Sequence, residues 1–292
     1  MSSSMSQDVI PQLDLGNTFG ALFIAVIFAA ILFGVTNVQA LIYFQTHEDT
    51  GMTFYKLVVI LLWTLDALHL ALIIHGVYYY LVINYANVAA LSGLVWSAKL
   101  QIPVDTLMIW GVHLLYVHRI WIISKGRSRA LPITVGIIVV LGSGVAISLN
   151  WATYRCRTFE DLLKTFEWAN YSTLGTLSFL DILIASSLCY LLITSRTGSS
   201  STDSFLTKLM SYIITTGCLT SIFSLTVIIT CAAMPKNFIY LGVEFSLAKV
   251  YVNSYIALLN AQYYTQSNAD NLVLSEFCAA RRELPHTPEE CI

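Results

Sequence analysis

Residues 54–83 read FYKLVVILLWTLDALHLALIIHGVYYYLVI, and this stretch decides the class of fold. A helix of about 20 apolar residues crosses the ~30 Å hydrocarbon core of a bilayer, and this stretch is longer than that. Lipid offers the backbone no hydrogen-bond partners, so a chain that crosses it must satisfy its own amides, as a helix does. The stretch therefore predicts a transmembrane helix.

Apolar segments of the same kind fill most of the remaining chain. They span 17–45, 98–124, 131–150, 168–195, 204–233 and 236–266. Hydrophobic residues make up 57% of the chain and charged residues only 11%, and the mean hydropathy is +0.71. We therefore expect an all-α polytopic membrane protein, a seven-transmembrane-helix bundle, over residues 17–266. We expect the Ser-rich head at 1–16 to be disordered and the Pro- and Glu-rich tail at 267–292 to be largely so.

The distribution of Lys and Arg predicts the orientation, because cytoplasmic loops are enriched in these residues. The strongest signal lies at the end of the third segment and in the loop after it: Arg119, Lys125, Arg127 and Arg129. This places the N-terminus outside and the C-terminus in the cytoplasm. We expect the plasma membrane rather than an internal membrane.

Charge and cysteine spacing exclude several classes of protein. The net charge of −2 provides no polybasic surface for nucleic acid. The six cysteines lack the Cys-x-x-Cys spacing of zinc and redox sites, so we expect no metal and no cofactor. Cys156 and Cys231 are the two that fall on the predicted outer, oxidising side. They predict either a disulfide bond or two free thiols.

Ionisable side chains interrupt the apolar segments, each at a cost of about 2.5–3.5 kcal/mol near the membrane centre. Depth along the segments places five polar residues near mid-membrane: Asp66, His69, Asp181, Lys249 and Asn253. Three more form an outer polar layer: His75, Asp105 and Glu244. A lone ammonium in lipid is costly, and Lys249 has no carboxylate one turn away on its own polar face. We therefore expect it to pair with Asp66, Asp181 or both.

This mid-membrane cluster allows three interpretations. It forms a ligand or ion site, it fixes helix register without any further function, or its residues face lipid because the helix faces are wrongly assigned. His69 lies three residues after Asp66, on the same helix face. It is therefore the histidine that we expect to contribute to a site.

Three known kinds of seven-helix protein fit this sequence poorly. A retinal protein carries a carboxylate one turn before its Schiff-base lysine, where Lys249 has Phe245. A G-protein-coupled receptor carries an acidic-Arg-aromatic triplet and an Asn-Pro-x-x-Tyr motif, where this chain reads VHRIW at 117–121 and YVNSYIALLNAQYY at 251–264. An intramembrane zinc hydrolase needs paired histidines four residues apart, which are absent here. These mismatches leave catalysis open and favour a protein that is not an enzyme.

Three stretches carry a resemblance to a known family: LWTLDALHLALIIHGVYYYLVINYAN at 62–87, SLCYLLITSRTGSSSTDSFLTKLMSYIITTGCLTS at 187–221 and AKVYVNSYIALLNAQ at 248–262. They resemble the uncharacterised seven-span membrane proteins of mushroom-forming fungi that are defined by a domain of unknown function. The resemblance covers roughly residues 15–265 and implies a fungal source and a multi-pass membrane protein. It also implies Lys or Arg at position 249, so that charge rather than an amine matters there. It implies no activity.

Two functions remain, and both use the polar cluster. The first is a receptor-like sensor that couples an outer pocket to the inner loops. Seven helices, short loops and the lack of an internal repeat favour it. The alternative is a small-molecule or proton-coupled transporter or channel, which the mid-membrane acids favour. The expected partners are the lipid bilayer, an unidentified small-molecule ligand and a cytoplasmic partner at the inner loops.

Overall fold

The computed structural model describes residues 20–48, 51–84, 87, 93–124, 129–155, 159–196, 200–234 and 237–283. The predicted all-helical fold is confirmed over these residues. The seven helices are α1 (Ala21–Thr46), α2 (Phe54–Tyr78, continued by a π-helical turn at Tyr79–Ile83), α3 (Trp96–Ile123), α4 (Ala130–Arg155), α5 (Phe159–Thr194), α6 (Ser200–Ala233) and α7 (Ile239–Glu283). The head at 1–16, the end of the tail at 284–292 and Cys156 lie outside the described residues, and so does the predicted Cys156–Cys231 bond.

Helices α1 to α6 have the properties of membrane spans. All six are long and apolar enough to cross a bilayer. Their large apolar side chains lie on the outside of the bundle: Phe28 and Ile31 of α1 are 60% and 59% exposed, whereas Thr36 of the same helix is fully buried. Such an outer surface is stable against lipid rather than against water. The chain is therefore a multi-pass membrane protein.

The last helix differs from the other six in both composition and position. Within the described residues, α7 is not apolar enough to be counted as a span, since Glu244, Lys249 and Asn253 interrupt it. Every residue from 245 to 256 is nevertheless buried, because α1, α2, α3 and α6 pack against α7. A helix that is surrounded by protein needs no lipid-facing apolar side, so polar residues are tolerated on it.

Helix α7 also extends further than the sequence polarity indicates. It continues to Glu283, past residue 266, where the sequence predicts a largely disordered tail. Residues 269–283 read ADNLVLSEFCAARRE and are rich in Ala, Leu, Glu and Arg. These residue types have high helix propensity. The polar residues keep this stretch out of lipid, but they do not prevent it from forming a helix.

The helices form a closed ring in chain order, with α7 packed between α6 and α1. Helix α3 contacts α5 and α7 in addition to its ring neighbours, so α3 and α7 are the central helices. Tyr80 fixes the end of α2 against the start of α3. Its hydroxyl donates to the Gly93 carbonyl oxygen at 2.8 Å and accepts from the Val95 amide at 2.8 Å. Asp105 and His113 of α3 and Lys249 and Asn253 of α7 are buried in the bundle interior.

Candidate functional site

Buried polar side chains form three groups among the central helices, and each group contains an aspartate. The groups are centred on Asp66, Asp105 and Asp181. The sequence predicts one mid-membrane cluster and a separate outer layer. The structure instead distributes those residues by helix face, because the direction of a side chain around its helix decides its partners as much as its depth does.

The first group is the ion pair between Lys249 and Asp66. The Lys249 Nζ lies 2.5 Å from Asp66 Oδ1 and donates a second hydrogen bond to the Asp66 carbonyl oxygen at 3.2 Å. Thr36 of α1 donates to the other carboxylate oxygen, Oδ2, at 2.8 Å. All three side chains have 0% exposed surface. Of the two acids predicted as partners of Lys249, Asp66 forms the pair, and Asp181 has other partners.

Asn253 extends this group toward α1. Its Nδ2 donates to the carbonyl oxygen of Leu32 at 3.1 Å and to that of Lys249, one turn earlier on α7, at 3.0 Å. Asn253 therefore links α7 to α1 beside the ion pair. It does not contact the Asp66 carboxylate through a described hydrogen bond.

The second group joins His69 of α2 to Asp105 of α3. His69 Nε2 lies 3.0 Å from Asp105 Oδ1, an ion-pair distance without the alignment of a hydrogen bond. Asp105 and Glu244 line one cleft between α3, α4, α5 and α7. Glu244 has no hydrogen bond and no ion pair among the residues that the structure describes. Two members of the predicted outer layer thus share a cleft, and His69 contacts one of them.

His75, the third member of the predicted outer layer, lies apart from the other two. Its Nδ1 is 2.9 Å from the Ser97 hydroxyl, and its ring packs against Trp96 with ring centroids 4.9 Å apart. These contacts join the end of α2 to the start of α3. They satisfy the histidine without a carboxylate.

The third group connects four helices through Asp181 of α5. The Asp181 Oδ2 accepts hydrogen bonds from Thr220 of α6 at 2.8 Å and from Tyr251 of α7 at 2.7 Å. The other carboxylate oxygen, Oδ1, lies 3.2 Å from Nε2 of His113 on α3. One buried carboxylate therefore holds α3, α6 and α7 to α5.

The His113–Asp181 contact requires a proton. His113 Nδ1 lies 2.8 Å from the Ile109 carbonyl oxygen, which can only accept, so Nδ1 carries a hydrogen. A neutral His113 would then present the lone pair of Nε2 to a carboxylate oxygen. The contact is favourable only if a proton resides on Nε2 or on Asp181. The pair is thus suited to hold one proton in the bundle interior.

A cleft opens beside Asp181 between α3, α5, α6 and α7. Its polar lining is Tyr116, Asp181, Thr216, Thr220, Tyr251 and Ser254. Several convergent polar groups of this kind are typical of a small-molecule site. Across the described ranges, no group of three His, Cys, Asp or Glu side chains is placed to hold a metal ion.

Sequence reasoning missed several of these residues. The sequence patterns did not assign His113, Thr36, Thr220 or Tyr251 to the site. The available signal was a histidine in the middle of an apolar segment, which requires a partner on another helix. Hydroxyl residues give a weaker signal, because Ser and Thr within helices often bond to their own backbone, as Thr215 does to Ser211.

Comparison with known proteins assigns Asp181, Thr220 and Tyr251 of the third group, but not His113, to one family region. No curated protein and no solved structure matches the chain. The model of a family described as "Family of unknown function (DUF6534)" matches residues 178–264. This region runs from α5 through α6 into α7 and contains Asp181, Thr220, Lys249 and Tyr251. Residues 178–264 of this chain are therefore a DUF6534 domain of unknown function.

Proposed function

We propose that the protein is a receptor-like sensor in which α7 transmits the occupancy of an intramembrane cleft to the ends of the bundle. The observation that carries this proposal is the set of hydrogen bonds on one short stretch of α7. Lys249 bonds to Asp66 of α2, Tyr251 to Asp181 of α5, and Asn253 to the Leu32 carbonyl oxygen of α1. A displacement of α7 therefore changes contacts with three other helices at once.

Ligand binding would act on this arrangement by competition for Asp181. A ligand that donates a hydrogen bond to Asp181 from the adjoining cleft replaces Thr220 or Tyr251 and releases α6 or α7. A hydrogen bond to a charged group contributes about 1.5–3 kcal/mol. An exchange of that size shifts an equilibrium between two helix arrangements by roughly 10- to 100-fold. This is enough to convert binding into movement.

The alternative is proton-coupled transport of a small molecule, or a channel, through the same residues. One specific observation favours it, namely that two histidine–carboxylate contacts lie inside the bundle. They are His69 with Asp105 at 3.0 Å and His113 with Asp181 at 3.2 Å. Histidine and carboxylate side chains that face each other in a membrane interior are the usual components of proton relays.

Two measurements on the reconstituted protein separate the two functions. In a cysteine-free background, spin labels at Trp121→Cys on α3 and Lys208→Cys on α6 report the separation of the two helix ends. The sensor predicts that Tyr251→Phe adds a second distance to the distribution, and that proteoliposomes under an imposed pH gradient show no proton flux above lipid alone. Two results together would favour the transporter and overturn the sensor. They are an unchanged distance distribution in Tyr251→Phe and a proton flux that Asp181→Asn abolishes.

We also propose an orientation, a membrane, a source and a seventh span for the protein. The excess of Lys and Arg after the third segment supports a cytoplasmic C-terminus. We propose the plasma membrane as the location of the protein and a cytoplasmic partner at its inner loops. The resemblance of 62–87, 187–221 and 248–262 to seven-span proteins of mushroom-forming fungi supports a fungal source. The burial of α7 among α1, α2, α3 and α6 supports a seventh span.

A further inference from the structure

The ion pairs inside the bundle leave the carboxylate of Glu244 without a partner among the described residues. Among the described residues, Asp66 is matched by Lys249, Asp181 by His113, and Asp105 by His69. Glu244 of α7 has no such partner and lines the cleft that Asp105 also lines. A carboxylate in a membrane interior is stable only when it is protonated or when a cation lies beside it. Among the described residues, Glu244 is thus a carboxylate that either holds a proton or pairs with a further cation.

The cleft has the polar lining of a binding site. It opens between α3, α4, α5 and α7. Asp105 is 8% exposed, and its Oδ1, although close to His69, has no aligned hydrogen-bond donor. The hydroxyl oxygen of Thr173, on the α5 wall, is also buried and has no hydrogen-bond partner. The cleft therefore presents two hydrogen-bond acceptors, one on α3 and one on α5, and neither has a donor.

The charges around the cleft favour a cation over an anion or a neutral molecule. Asp105 and Glu244 contribute two carboxylates, and His69 of α2 contributes the one facing base. Lys249 and Asp66 also act electrostatically on Asp105, but they form a neutral pair with each other. With both carboxylates ionised, the site is negative by one charge even when His69 is protonated, and burial strengthens its attraction for a positive charge.

The remaining lining indicates what kind of cation fits. Trp110 contributes an indole ring, a surface that attracts an ammonium through its π face. Thr106 and Thr173 contribute hydroxyl acceptors. The other walls are aliphatic: Ile102, Ile109, Ala146, Leu149, Leu174, Leu177 and Leu247. A bare metal ion would leave these apolar walls uncovered, whereas an amine with an apolar substituent contacts both parts of the lining.

We propose that the cleft between α3, α4, α5 and α7 binds a small organic cation, a primary ammonium with a compact apolar substituent. Glu244 and Asp105 accept hydrogen bonds from the ammonium, and Trp110 and the aliphatic walls contact the substituent. This cleft is distinct from the one beside Asp181, but Glu244 lies on α7, so the bound cation is a ligand of the proposed sensor through the same helix, and to that extent the inference rests on the proposed function. Binding itself does not depend on what the helices do afterwards.

Calorimetric titration of the full chain in phosphatidylglycerol nanodiscs, which contain no lipid amine, tests the site. The probe is 2-phenylethylammonium chloride, and 2-phenylethanol is its neutral isostere. We expect saturable binding of the ammonium, at least tenfold weaker binding of the alcohol, and a loss of at least tenfold in affinity for the ammonium in Glu244→Gln. Thr173→Val should weaken the affinity less, and Glu48→Gln, an exposed acid at the far end of α1, should not change it.

Several outcomes would overturn the site. They are equal binding of the alcohol, unchanged affinity in a folded Glu244→Gln, absence of ammonium binding, or displacement of the ammonium by sodium ions alone at equimolar concentration. Spin-label distances between Trp121→Cys and Lys208→Cys, recorded with and without the ammonium, separate this failure from failure of the sensor. Binding without a change in distance retains the cation site and contradicts the sensor. Absence of binding, with a second distance still present in Tyr251→Phe, contradicts the site alone.

Discussion

The Lys249 ammonium lies 2.5 Å from Oδ1 of Asp66, and neither side chain has any exposed surface. The two residues are 183 positions apart in the chain and join α7 to α2. A buried ion pair of this kind adds little net stability, because desolvation of the two charges offsets their attraction. Its consequence is structural specificity, since any other register of α7 leaves a charge without a partner.

Replacement of Lys249 by Met should destabilise the protein severely. The change leaves the Asp66 carboxylate buried without its counter-charge, at a cost of about 3–5 kcal/mol. Lys249→Arg preserves the positive charge and should fold better than Lys249→Met. Lys208→Met at an exposed position of α6 is the matched control and should melt like the wild type. Thermal melting in nanodiscs measures all three, and equal melting temperatures for the two Met variants would contradict the burial of the pair.

The hydrogen of neutral His113 should reside on Nδ1. Its Nδ1 faces the Ile109 carbonyl oxygen at 2.8 Å, which fixes this tautomer, and Nε2 faces Asp181. Nitrogen-15 NMR of the labelled imidazole should show a protonated Nδ1 at neutral pH, and Asp181→Asn should change the signal of Nε2. His75 is the control, because its contact with Ser97 does not dictate the tautomer. A neutral His113 with an unprotonated Nδ1 would contradict the assigned contact.

Gly142 should tolerate no larger residue. A Cβ atom at this position would lie 2.8 Å from the Trp110 ring and 3.2 Å from Leu180, so α4 approaches α3 and α5 closely here. We expect Gly142→Leu to destabilise the protein by about 1–3 kcal/mol through overpacking. Gly144→Leu, at a position with no neighbour within 4 Å, should be tolerated. Equal melting temperatures of the two variants would contradict the close approach of α4 to α3 and α5.

The predicted topology places the N-terminus outside the cell. A Ser4→Cys variant in a cysteine-free background should therefore react with a membrane-impermeant maleimide on intact cells. The expectation derives from the Lys and Arg after the third segment, which retain that end of the bundle in the cytoplasm. Labelling only after permeabilisation would contradict the predicted orientation and place the N-terminus inside the cell.

The sequence predicts the helices well because length and apolarity alone determine them. Six segments are confirmed as helices able to span a membrane. The last segment behaves differently, because protein rather than lipid surrounds residues 245–256. Depth along the segments reduced the predicted partners of Lys249 to Asp66 and Asp181, and the structure shows the pair with Asp66. Both residues lie near the middle of long helices, and a lone lysine there needs an acid at the same depth.

The partner of Asp181 could not be predicted in the same way. His113 lies at a similar depth to Lys249, so depth alone does not distinguish the two as partners of the acid. The choice depends on how α3, α5 and α7 are rotated about their axes, and packing of the whole bundle sets that rotation. The hydroxyls of Thr220 and Tyr251 carry no charge, so their position in an apolar segment gives no signal of a partner.

The most direct test of the account is a double-mutant cycle between Lys249 and Asp66, measured by thermal melting of the full chain in nanodiscs. We predict that Lys249→Met and Asp66→Leu each lower the melting temperature strongly, and that the double variant recovers most of the loss, because no buried charge remains unpaired. Additive losses in the double variant would mean that the two residues do not interact. That result would contradict the ion pair between α2 and α7 on which the polar core is built.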